Sequence, residues 1–164
     1  MMHRDATDAD SPAIIDLISR VYDEYGEVMH TAGADADLLS IQASYAARGG
    51  AFIVLEGEGG KIVACHATSP LDEAAGLVNF RRLYLDKALR GQGIGRQLMD
   101  WAVGWSRDHG YQRVEFWSDT RFVHAHAFFE SYGFRKTGDL REMDDGALPY
   151  SEYFFAMDLS VGTD

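Results

Sequence analysis

The chain has 164 residues, 46% hydrophobic and 25% charged, and Lys+Arg 15 against Asp+Glu 26 leaves a formal net charge of −11. Length and composition fit one globular domain over residues 1–164 and exclude a disordered or fibrous chain. The acidic balance argues against a nucleic-acid surface, which needs basic patches to release counterions. No apolar run approaches the roughly 20 residues of a membrane span. Met1-Met2-His3-Arg4-Asp5 lacks the apolar stretch of a secretory signal, and the single Cys65 cannot form an intrachain disulfide. Both point to a reducing, cytoplasmic setting, with Cys65 as a buried structural thiol.

In chain order, a short strand near residues 2–6 precedes a helix that starts between Thr7 and Pro12. Ser11-Pro12 offers an N-cap and a first-turn proline, with Thr7 and Asp10 as an alternative capping pair. Ile14, Ile15, Ile18, Val21, Tyr22 and Tyr25 recur at helical spacing and give this helix one apolar face. Leu38, Ile41, Gln42 and Tyr45 predict a second helix ending at Gly49-Gly50. Ala51–Glu56 and Lys61–Thr68, separated by Gly57-Glu58-Gly59-Gly60, predict a hairpin. A loop from Pro70 to Gly76 leads to a third strand, Leu77–Leu85. Ile94, Leu98, Trp101, Ala102 and Trp105 mark the core face of a helix closed by Gly110. Val114–Ser118 reads as a strand, and Ala125, Phe128, Phe129 and Tyr132 as a helix stopped by Gly133. Phe134–Arg141 and Tyr153–Leu159 close the chain as two strands around the turn-rich segment Asp144–Pro149. The order β-α-α-β-β-β-α-β-α-β-β predicts a mixed α+β layer fold rather than a doubly wound one.

Leu77–Arg96 carries the chemistry. Val78 and Phe80 share one parity, Leu83 and Leu85 the other, and the change falls at Arg81-Arg82. One extra residue there, a β-bulge, would keep all four on one face. A strand covered by helices on both faces would show no parity at all. A bulge would splay the strand from its neighbour and free backbone N–H and C=O groups for a ligand. Arg90-Gly91-Gln92-Gly93-Ile94-Gly95-Arg96 then enters the helix. Glycines let backbone approach a ligand closely. The first helical amides point outward, and the helix dipole adds positive charge. Such a turn suits a pyrophosphate, with Arg90 and Arg96 as added cations; a flexible entry loop is its plain alternative. The G-x-G-x-G spacing is neither the dinucleotide fingerprint nor a P-loop.

These residues resemble the GNAT family of acyl-CoA-dependent N-acetyltransferases. Its central signature, Arg/Gln-x-x-Gly-x-Gly/Ala, is met by Arg90, Gly93 and Gly95 after the strand end Leu83-Tyr84-Leu85-Asp86. Its second motif, an aromatic-Glu-x-x-Gly-Phe run, is matched by Phe129-Glu130-Ser131-Tyr132-Gly133-Phe134. The resemblance covers essentially the whole chain and implies a single α+β domain: a mixed, largely antiparallel sheet with helices on both faces. It implies acetyl-CoA as co-substrate and no metal. Leu83, Tyr84 and Leu85 would hydrogen-bond pantetheine through their backbones. Arg90, Gly91, Gln92, Gly93, Ile94, Gly95 and Arg96 would cradle the pyrophosphate, with Phe129 also on the cofactor side. The acceptor would be a primary amine of a small molecule or peptide that attacks the thioester directly in a ternary complex.

Three positions depart from the family pattern. Phe129 stands where a tyrosine often protonates the leaving thiolate, Asn79 where many members carry a glutamate base, and Phe122 near a frequent asparagine. Asn79 is then the expected catalytic residue, holding a water that relays the amine's proton. The same departures motivate an alternative, a non-catalytic acyl-CoA-binding or sensing module. Dimers are common in such families, so a homodimer stays open. Acceptor specificity would lie in the first helices and the Asp144–Pro149 loop. Elsewhere, His124 and His126 are two apart on a helix and do not share a face as metal ligands would. His66 reads as a core or pocket residue, with a substrate-side role as the alternative. Trp101 and Trp105 read as core, and Glu115 as facing solvent. Asp119 would cap the next helix or engage a cationic amine.

Overall fold

Alternation decides which way the first strands face. In β2 (Ala51–Glu56), Phe52 and Val54 point to one side and Ile53 and Leu55 to the other, and all four are buried. Both faces must therefore be covered. The computed structural model, which describes residues 2–160, covers them with helices. Beside Phe52 and Val54, Cys65 and Ala67 of β3 (Ile62–Asp72) pack against Ile14, Leu17 and Ile18 of α1 (Ser11–Asp23) and Ile41 of α2 (Ile41–Ser44). On the opposite face, Ile53 and Leu55 pack with Val63, Ala64 and Leu98 of α3 (Ile94–Asp108).

β1 (His3–Asp5), β4 (Leu77–Leu85), β5 (Arg113–Asp119), β6 (Arg135–Met143) and β7 (Tyr150–Asp158) complete a sheet of order β1-β2-β3-β4-β5-β7-β6. Every neighbouring pair is antiparallel except β4 with β5. This is the mixed, largely antiparallel α+β domain expected. Its second core is aromatic: Phe129 of α4 (Val123–Tyr132) lies edge-on to Phe116 of β5 at 4.9 Å and to Phe155 of β7 at 5.4 Å. Among the described residues no helix is long and apolar enough to cross a membrane.

Two expectations need correction. The predicted second helix is broken into a 3₁₀ turn at Ala36–Leu39, the single turn α2, and another 3₁₀ turn at Ala46–Arg48. Asp8 and Gln42 explain part of this, since each side chain binds the other's backbone N–H, at 2.9 and 3.0 Å. That exchange starts α2 afresh after Ser40, whose backbone is not helical. β3 also continues through the predicted loop, pairing Ser69 with Asn79 and Pro70 with Val78. β2 begins at Ala51, opposite Thr68, so one edge of β3 is free at Pro70, where a residue without an N–H is tolerated.

Candidate active site

Opposite His66, β4 carries two residues where β3 carries one: Cys65 pairs with Tyr84 and Ala67 with Arg81. Of the two readings of the parity change, the bulge is the one found. Arg82 sits in it with φ +62°, the one positive φ outside glycine among the described residues. Such a conformation persists only where the surroundings over-determine it. Here the buried guanidinium donates to Asp35 at 2.9 Å, Asp37 at 2.6 and 3.1 Å, Tyr22 Oη at 3.1 Å and the Ala34 carbonyl at 3.1 Å. Burial pushes the Asp37 carboxyl up, but the Arg82 charge outweighs it and holds the group below the usual carboxylate range. The segment after α1 is thereby tied to the bulge.

The bulge coincides with a split in the sheet. β4 and β5 pair only at Leu77 with Arg113 and Val78 with Val114. Beyond Val78 they part, and a cavity of about 450 Å³ opens between them. Asn79, Leu83 and Tyr84 line it from β4, Ser118 from β5, and Phe129 from α4. Past Val78, β4 stays paired with β3 on one side, and its edge facing β5 presents main chain that no strand pairs. Leu85 packs its side chain under α3, and its carbonyl accepts from Arg90 at 3.0 Å.

The glycine turn follows after a 3₁₀ turn at Lys87–Leu89. Gly91 and Gly93 have φ +79° and +82°, and a Cβ at either would meet nothing within 4 Å. Their requirement is conformational, not steric. Gly93 caps α3 without a side-chain bond, and the first helical bond runs from Gln97 N to Gly93 O. The amides of Ile94, Gly95 and Arg96 have no partner within the helix, which suits an anion. Arg96 makes no ion pair among the described residues and rests 5.1 Å from the Tyr132 ring centroid. Arg90 departs from the expectation of a free cation: it donates twice to Glu24, at 2.6 and 2.8 Å, clasping the end of α1 to the turn. Gln92, exposed, folds back over the preceding turn, donating to the Ala88 carbonyl at 3.0 Å. The residues present fit a diphosphate, with amides and Arg96 as its contacts and Arg90 as a brace.

Charged groups of β5, β6 and β7 also line the cavity. Glu115, expected at the surface, lines it and accepts from Arg113 at 2.8 Å. Glu152 of β7 pairs across the strands with Asp119 and binds Arg141 at 2.6 Å. Burial lifts the Glu152 carboxyl above its ordinary range, with Asp119 adding and Arg141 opposing. Asp119 neither caps α4 nor stands free: its carboxylate accepts the Arg121 main-chain N–H at 3.0 Å and chelates the same residue's guanidinium. His66 is a core histidine, its Nδ1 3.2 Å from the Leu98 carbonyl and its ring edge-on to Phe80 and Trp101. Phe122 packs on Tyr25 at 4.8 Å. Sequence reasoning missed the Arg82 cluster, whose partners lie 45 to 60 residues away, and also Ser118 with His126 and the Arg141–Glu152 pair, each joined across two different elements. Among the described residues no group of three or more His, Cys, Asp or Glu side chains is arranged to hold a metal.

A family profile described as Acetyltransferase (GNAT) domain matches residues 48–136, the span from β2 through the glycine turn to the start of β6. The chain belongs to the GNAT acetyltransferase family. Human N-acetyltransferase 8 is 30% identical over 131 residues, 77% of this chain and 56% of that protein. N-acetyltransferase family 8 member 2 of Rattus norvegicus is 33% identical over 106 residues, 63% of this chain and 46% of its own. The chain thus spans about half the length of these two GNAT relatives. The uncharacterized N-acetyltransferase YjgM of Escherichia coli is 30% identical over 129 residues, 76% of either chain. Among solved GNAT structures, an acetyltransferase from Staphylococcus aureus superposes with TM-score 0.82 at 19% identity, covering 97% of this chain and 99% of its own. The yncA acetyltransferase of Salmonella typhimurium, solved with acetyl-CoA, superposes with TM-score 0.73 at 19% identity, covering 100% and 96%.

Proposed function

We propose that the protein is an acetyl-CoA-dependent N-acetyltransferase that passes the acetyl group directly to a primary amine of a small molecule or peptide. One observation carries this reading: the edge of β4 left unpaired by β5 leads from the cavity, through a 3₁₀ turn at Lys87–Leu89, to the Gly91–Gly93 turn and the open N-terminus of α3. A pantetheine arm along the first and a diphosphate at the second are joined as they are in one molecule. The acetyl-CoA held by the yncA relative supports the same ligand here.

Within that arrangement, amides of β4 near Leu83–Leu85 meet charge developing on the thioester oxygen. Holding amine and thioester together supplies much of the acceleration. The amine arrives as an ammonium of pKa ~10 and must lose a proton before attack. Asn79 is placed on the cavity wall, where its amide orients a water for that transfer. The cavity lining carries more carboxylates (Glu27, Asp35, Glu115, Asp119, Asp145, Glu152) than arginines (Arg81, Arg82, Arg141), and that negative balance favours a cationic acceptor. The leaving thiolate, of pKa near ~8.5 on the cysteine scale, departs without a strong acid.

Phe129 favours a second reading, an acyl-CoA-binding module without turnover, because it lacks a proton to give. Calorimetric titration with acetyl-CoA, followed by thiol release with polyamines, amino acids, aminoglycosides and peptide N-termini, separates the two. Binding with turnover on at least one amine is expected; binding with none establishes the sensor. Gly93→Val places a branched side chain at φ +82° where the diphosphate would lie. It should abolish measurable acetyl-CoA binding while leaving the circular dichroism spectrum unchanged. Undiminished affinity would remove the diphosphate from this turn.

A further inference from the structure

Neither the family signature nor Asn79 accounts for a hydrogen bond at the cavity wall between Ser118 and His126. His126 Nε2 lies 3.0 Å from Ser118 Oγ. Ser118 lines the cavity from β5, on the same face of the strand as Phe116. His126 is on α4, one turn before Phe129, and Phe116 and Phe129 are in edge contact at 4.9 Å. Ser118 and Phe129 line the same cavity, and His126 links them: it bonds the hydroxyl and packs 6.2 Å from the ring that carries none.

Resting on the transferase reading, we propose that Ser118, backed by His126, is the proton relay that stands in for the hydroxyl missing at Phe129. The His126 ring is held by Phe155 at 5.0 Å, Tyr153 at 5.8 Å and Phe129 at 6.2 Å, so its nitrogen stays aimed at the hydroxyl. The charged or titratable groups facing it are Lys136 on β6, Asp119 on β5 and Tyr153 on β7. Burial, with Lys136 adding, lowers its pKa to about 4 against the pull of Asp119, so the imidazole rests neutral near pH 7, holds a proton only transiently and gives it back readily. The amine nitrogen bonds to the thioester carbon and the carbon–sulfur bond breaks. The amine gives its proton to Ser118 Oγ as the serine's own proton passes to His126 Nε2. The thiolate then takes a proton back through Ser118, and His126 returns to neutral. The net result is an amide and a free thiol, with no other reactant.

Ser118 is thus a catalytic residue and His126 a positioning residue and transient proton holder. The test compares wild type with Ser118→Ala, Ser118→Thr, His126→Gln and the double variant S118A/H126Q, using the panel amine that gives the fastest thiol release. Ser118→Ala should lower kcat by about 10²-fold with acetyl-CoA affinity unchanged, the size of a lost general acid–base step. Ser118→Thr should restore most of the rate, and the double variant should be no slower than the slower single one. The rate against deuterium fraction should be curved in wild type and linear in Ser118→Ala, reporting two protons in flight reduced to one. An unchanged kcat in Ser118→Ala, or no rescue by threonine, overturns the relay while wild-type turnover keeps the transferase reading. Acetyl-CoA binding without turnover by wild type on any amine overturns that reading, and the relay falls with it.

Discussion

Arg82 is a buried charge; Tyr22 and Asp35 are buried with it, and Asp37 is mostly covered. Replacing it by methionine keeps the bulk but leaves buried Asp35 without its counter-charge and Asp37 with only Arg81, at 4.0 Å. Breaking such a group from one side costs about 3–5 kcal/mol, so Arg82→Met should lower the urea midpoint strongly. Lysine keeps the charge but cannot reproduce the forked bonds to Asp37, and should fall between. Arg4→Met is the control, because Arg4 also makes two ion pairs, with Asp10 and Glu56, but at the surface. It should cost no more than about 1 kcal/mol. Equal midpoints for the two methionine variants would mean that the cluster does not hold the bulge. The bulge was legible in the parity of Val78, Phe80, Leu83 and Leu85. Its anchor was not, because Asp37 lies 45 residues away and no local pattern marks it.

α3 allows one chemical change to be read with opposite signs. Gly104 lies in the helix interior, and a Cβ there would meet nothing within 4 Å. Gly104→Ala should raise stability by about 1 kcal/mol, the helix-propensity difference. Gly93 has equal space but φ +82°, a conformation L-residues rarely adopt, so Gly93→Ala should cost about 1 kcal/mol. Chemical denaturation of the two variants checks both signs, and a stabilising Gly93→Ala would refute the conformational role. Elements with strong periodicity were legible: β4 is observed at the predicted Leu77–Leu85, and α3 ends before the predicted Gly110. The second helix failed because Leu38, Ile41 and Tyr45 are buried at helical spacing on a chain that is not continuously helical. Burial alone produced the pattern. In the site, the glycine turn was legible because its conformation is written locally. The orientation of Arg90 was not, since Glu24 comes from α1.

Over the whole molecule, stability should follow the buried histidines rather than the net charge of −11. His66 and His126 lie in different parts of the core, and burial brings each to about 4, with Lys136 assisting at His126. In the unfolded chain both titrate near ~6.5. Between those values the unfolded state binds more protons than the native one, so stability is fully present above ~6.5 and is lost as pH falls toward about 4. Glu152 works the other way. Burial raises its folded pKa above its unfolded one, so it favours the native state at low pH and loses that contribution as pH rises through the folded value. Two histidines against one carboxylate leave a net fall. Asp37, held low by Arg82 despite burial, adds a further loss only below the ordinary carboxylate range. Reduced self-repulsion at lower pH opposes the fall, so the measurement belongs at physiological ionic strength, where screening acts within about 8 Å. Urea midpoints should drop steadily from pH 7 to pH 5. His126→Gln should flatten the slope by roughly half, as expected if each histidine contributes up to one proton. A midpoint that is level across this range would show that the two imidazoles take up protons without unfolding.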